Sequence, residues 1–104
     1  MEEIIVPKGD FGYNINFTVT DANDDAYDLT DYTVTLKLWR PSNPGTLILE
    51  EECTIDVAAS GTCHYTVQSG DFDTTTTYAG ELEATATGKE ESVKKFRLVV
   101  SESG

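Results

Sequence analysis

Long apolar runs are missing from this chain. No stretch approaches the ~18 apolar residues that a membrane-spanning helix requires. The opening Met1-Glu2-Glu3-Ile4-Ile5-Val6-Pro7 is acidic and its apolar run is three residues long, which is not a signal peptide. Release by cell lysis is therefore the expected route if the protein reaches the outside. Basic residues are scarce as well: 7 Lys and Arg stand against 19 Asp and Glu, for a net charge of −12. A surface of that sign repels phosphate backbones and anionic lipid, so neither nucleic acid nor membrane is an expected partner. It leaves two readings of the charge, solubility and docking to a basic partner.

The residues of catalysis are equally thin. His64 is the single histidine, and a catalytic or metal site needs partners for it. No G-x-S-x-G surrounds any serine, and the glycines sit singly at turns rather than in a phosphate-binding loop. Paired carboxylates carry no information on so acidic a chain. No enzyme and no cofactor are expected.

What is present is strand signal. The 104 residues suit one domain spanning 1–104. Thr, Val, Tyr and Ile alternate with polar residues at period two between turn clusters, and no helical period is sustained. Strands are expected over about Glu2 to Pro7, Tyr13 to Thr20, Tyr32 to Trp39, Thr46 to Val57, Thr62 to Gln68, Tyr78 to Thr87 and Ser92 to Ser101. Arg40-Pro41-Ser42-Asn43-Pro44-Gly45 reads as a loop in which the prolines stop the ladder. Strict alternation in the fourth strand would bury Glu51, so a bulge or break is expected near Glu50-Glu51-Glu52. A polar crossover is expected at Ser69 to Thr77, with room for one helical turn. About seven short strands with regular turn signals read as an all-β, Ig-like antiparallel β-sandwich, with a small closed barrel as the alternative. Phe17, Val19, Val34, Leu36, Leu38, Ile55, Tyr65, Leu82, Phe96 and Leu98 are the expected core.

Four features merit a specific expectation. Asp21-x-Asn23-x-Asp25 starts like a calcium loop, but Ala26 and Tyr32 occupy the positions of its Gly and bidentate Glu. A different calcium site built from Asp21, Asn23, Asp25 and Asp28 is the alternative to a plain acidic turn. Cys53 and Cys63 flank the Ala58–Gly61 turn, and a simple hairpin centred near Ala58 places them opposite each other on one face. They are expected to be neighbours, as a disulfide or as two buried thiols. Trp39 falls by parity opposite the Leu36/Leu38 face, either covered by the Pro loop or exposed as an interface anchor. His64 points outward.

Three stretches carry a family resemblance: Lys8-Gly9-Asp10 leading into a strand, Asp28-Leu29-Thr30-Asp31-Tyr32-Thr33-Val34 entering the next, and Gly70-Asp71-Phe72 before Tyr78-x-Gly80-Glu81-Leu82. With the closing Phe96-x-Leu98-Val99-Val100, their order and spacing resemble the N-terminal domain of phage baseplate upper proteins over nearly the whole chain. The resemblance implies an Ig-like sandwich that plugs a receptor-binding or tip protein onto a siphophage tail baseplate. Members of that family continue into helical and receptor-proximal regions. The expectation is thus a domain of that kind or a stand-alone virion piece, such as a tail ornament or a capsid decoration. Its partners would be other virion proteins in a symmetric assembly, and its location the virion, assembled in the host cytoplasm. The competing expectation is a secreted Ig-like adhesion or carbohydrate-binding module.

Overall fold

Period-two alternation forces each strand to put its apolar side chains on one face, and two such faces must close on each other. In the computed structural model, which describes residues 2–102, eight strands do so: β1 (Glu2–Pro7), β2 (Asn14–Thr18), β3 (Thr33–Arg40), β4 (Asn43–Glu52), β5 (Thr54–Val57), β6 (Thr62–Thr66), β7 (Thr76–Ala86) and β8 (Lys89–Ser101). They form a five-stranded sheet, β1-β8-β7-β3-β4, and a three-stranded sheet, β2-β6-β5. In the immunoglobulin frame β3, β7 and β8 stand in the places of strands C, F and G, and β2, β6 and β5 in those of B, E and D. β4 is an added strand beside C.

The sandwich differs from the expected antiparallel one in two respects. β1 pairs with β8 in parallel, Ile4 opposite Leu98 and Val6 opposite Val100. The cause is the bend at Lys8–Gly12. Lys8 N–H still donates to Ser101 O, but Gly9 N–H donates to Phe72 O and Gly12 N–H to Val67 O. Both glycines have positive φ, so the chain turns from one sheet into the other within five residues. The second difference is the region read as one strand over Thr46–Val57. It is two strands in different sheets. The expected break falls directly after Glu52, and Cys53, whose N–H donates to Val34 O at 2.8 Å, is the crossing point. Glu51 thereby stays exposed, and the buried charge that strict alternation threatened does not arise.

Two smaller readings need correction. β4 starts at Asn43 and carries Pro44 within it, so Pro44 does not end the ladder. β4 is an edge strand, where a missing N–H is tolerated. The helical turn allowed for the crossover lies instead at Ala58–Ser60, and Thr76 and Thr77 open β7.

Nine of the ten expected core residues are buried; Ile55 is only half-buried, because β5 is a short edge strand. The Phe17 and Phe96 rings, 5.4 Å apart, join the two sheets at the centre. Each fully buried Leu or Phe of this set stabilises the fold by roughly 1.5–3 kcal/mol. The core also takes Val19, Leu29, Cys53, Val67 and Phe72 from outside the strands. Leu29 is completely buried, held by its N–H to Ala58 O, and Phe72 is buried from the turn before β7. At the rim, Lys94 closes the space between the sheets, its ammonium 2.7 Å from Glu2 and 3.3 Å from Thr18 O.

Candidate interaction surface

The two outward faces of the sandwich are chemically different. That of the three-stranded sheet is built from Asn14 opposite Thr66, Asn16 opposite His64, and Thr18 opposite Thr62. That of the five-stranded sheet carries charges in register. One row across it reads Glu50–Lys37–Glu81–Lys95, from β4 through β3 and β7 to β8. The next row towards the far end reads Leu47–Trp39–Ala79–Arg97, and Glu3 of β1 completes it. Lys37 sits 3.0 Å from Glu83 and 3.8 Å from Glu50. Its ammonium is held above the usual lysine range, first by the hydrogen bond to Glu83 and then by the surrounding carboxylates, against a desolvation that opposes them. Ser92 donates to Glu81 on the same face.

Trp39 is half-buried on this outward face, not inside the sandwich. The register slips between Leu38 and Trp39, so that Leu49 pairs with Leu38 while Leu47 pairs with Trp39. Ile48 is the extra residue of that bulge, and Leu47 and Ile48 are 41% and 45% exposed. The bulge kinks the edge strand and turns two large apolar side chains towards solvent beside the indole.

The calcium candidate does not assemble. Asp21 Oδ1 accepts from the Asn23 and Asp25 N–H groups, which makes it the hinge of an acidic turn with Asp24 at φ 63°. Asp28 Oδ1 accepts from the N–H and hydroxyl of Thr30, and these two bonds hold its carboxyl below the usual range. Among the described residues no three His, Cys, Asp or Glu side chains are gathered to hold a metal.

The cysteines are neighbours but not partners in a hairpin rung. Cys63 stands opposite Ile55, not Cys53, because the hairpin closes between Val57 and Thr62 rather than about Ala58. Both thiols are free and buried, close enough to hydrogen-bond. That bond, and then burial, push the Cys53 thiol well above its ordinary range. The pair fills core volume beside the crossing between the sheets.

His64 points outward as expected, and its Nδ1 lies 2.8 Å from an Asp56 oxygen, fastening β5 to β6. Beside it an open groove of about 440 Å³ is lined by Glu51, Glu52, Thr54, His64, Tyr65 and Gln68. The Tyr65 hydroxyl donates to Asp71, which also accepts from Gln68 N–H. Burial, and then this bond, raise the Tyr65 phenol.

The charge row escaped the sequence reading. Parity already placed Lys37, Glu81 and Glu83 outward, but only the pairing of β3 with β4 and β7 puts opposite signs side by side. No family model and no curated protein matches the chain.

Proposed function

We propose that the chain is a structural contact module of a phage particle, a docking piece of the tail baseplate or an ornament on tail or capsid. It works by protein–protein contact, through the outer face of the five-stranded sheet. The observation that carries the contact reading is Trp39, half-buried with Leu47 and Ile48 exposed beside it on an outward sheet face. Tryptophan is enriched among the residues that dominate binding energy, and exposed apolar neighbours supply the surface that excludes water around it. The phage setting is supported by the order of Lys8-Gly9-Asp10, the Asp28-to-Val34 strand entry and Gly70-Asp71-Phe72, which resembles baseplate upper proteins. A particle repeats each contact by symmetry, so a modest single interface holds well when multiplied.

Quantitative mass spectrometry of purified particles tests this directly. The chain is expected at a fixed stoichiometry matching three-, five- or six-fold related positions. Its absence from particles would sink the proposal, and specific capture on a glycan array would replace it with a secreted carbohydrate-binding module.

A further inference from the structure

The row Glu50–Lys37–Glu81–Lys95 reads −, +, −, + across four neighbouring strands. Read backwards it is +, −, +, −. Such a row is complementary to itself when a second sheet is turned over about an axis running along the strands between β7 and β3. That operation sets Lys37 on the partner copy's Glu81, and Glu50 on its Lys95. The same operation treats the neighbouring row, Leu47–Trp39–Ala79–Arg97, equally well. The large Trp39 ring lands over the small Ala79 of the other copy, and the Leu47 side chain along the stem of Arg97. In the third row, Glu52–Thr35–Glu83–Ser92, each glutamate meets a hydroxyl residue. No like charges are set opposite each other in any of the three rows.

We propose that the partner on this face is a second copy of the same chain, related by that two-fold axis. The inference rests on the reading of this face as a contact surface and names its occupant. Charge distribution argues for self-pairing over an acidic or basic partner. The chain carries 7 basic residues against 19 acidic ones, yet the three rows set Lys37, Lys95 and Arg97 among Glu50, Glu52, Glu81 and Glu83. A partner of one sign would meet repulsion in every second strand, whereas a copy meets none. Four strands at about 4.8 Å and seven residues at about 3.3 Å give a projected footprint on the order of 440 Å². Sheets packed face to face in this aligned way lie within about 30° of parallel. An interface of that size is below the standard of roughly 800 Å² per partner, so the dimer is weak and forms as the protein is concentrated.

The test is charge reversal read as mass by sedimentation equilibrium, at an ionic strength that screens the −12 charge of the bodies. The unaltered chain is expected to move from 11.4 kDa towards twice that mass as concentration rises. Lys37→Glu alone and Glu81→Lys alone should each stay monomeric, because each faces itself with like charges. Their equimolar mixture should dimerise, since −, −, −, + meets +, +, +, − across the interface. Lys95→Glu mixed with Glu50→Lys is a second such pair at more exposed positions, for use if either first variant folds poorly by circular dichroism. A mixture of folded variants that stays monomeric would overturn the proposal, as would an unaltered chain that is monomeric throughout or forms a trimer. These masses do not depend on any phage particle. Absence of the chain from particles therefore removes the virion reading and leaves the dimer standing, and the reverse also holds.

Discussion

The two sheets share a construction rule on the inside and part company on the outside. In the three-stranded sheet Ile15, Phe17, Cys63 and Tyr65 point inward, and in the five-stranded sheet Leu36, Leu38, Leu82 and Phe96 do; all are buried. Outward, β2 and β6 of the first sheet present Asn, Thr and His64. The second presents Trp39, Leu47 and charges of alternating sign. Folding needs the inner faces and is served by any polar outer face. The polar face of β2, β6 and β5, with Asn, Thr and the His64–Asp56 pair, meets that requirement. The cross-strand charge pairs of the second sheet also steady the sheet itself, since Lys37 bonds Glu83 and lies near Glu50, whereas the half-buried tryptophan and the exposed Leu47 beside it exceed that requirement.

The largest expected effects lie where the sheets are alike. Phe17→Ala in the three-stranded sheet should cost about 3–5 kcal/mol and Leu36→Ala in the five-stranded sheet about 2–5 kcal/mol, read by urea unfolding. A loss under about 1 kcal/mol at either position would mean that the sheets do not share one core. Next comes the turn between β5 and β6, which packs on the segment following β2. Gly61 has φ 70°, and an added Cβ would lie 2.4 Å from Val19 O and 2.8 Å from Tyr27 O, both backbone atoms. Gly61→Ala should cost about 1–2 kcal/mol for the left-handed backbone and about 1–3 kcal/mol more for the overlap. A melting temperature equal to that of the unaltered chain would show that the Val19–Tyr27 segment is not packed there.

Legibility followed the same division. The inner faces could be read almost completely, because alternation encodes which side of a strand is buried. Phe17, Leu36, Leu82 and Phe96 needed no knowledge of which strand lies next to which. Leu29 and Phe72 were missed for a physical reason: each is a lone apolar residue in a turn, without a period to expose it, and long-range backbone bonds bring it inward. The parallel β1 was missed because parity is the same for either direction of a strand. The charge row depends on register between β4, β3, β7 and β8, a property of pairs that no single strand states. The hairpin closes between Val57 and Thr62 rather than about Ala58, which sets Cys63 opposite Ile55 and not Cys53.

The smallest expected effects on stability lie on the outer faces, where the sheets should separate. Trp39→Ala should weaken self-association by about thirty-fold, the equivalent of roughly 2 kcal/mol for a central aromatic anchor. Asn16→Ala, on the other outer face, should leave association unaltered and shift stability by under about 0.5 kcal/mol. Equal effects of the two on association, in sedimentation runs at matched concentrations, would erase the distinction between the faces.

Trp39 is the only tryptophan of the chain, so its fluorescence reports on that one face. The most direct measurement is its emission and its quenching by acrylamide across a concentration series, followed alongside the sedimenting mass. Association through the five-stranded sheet predicts a blue shift and protection from the quencher that rise in step with the mass. A mass that rises while emission and quenching stay constant, or a mass that never rises, would contradict the account.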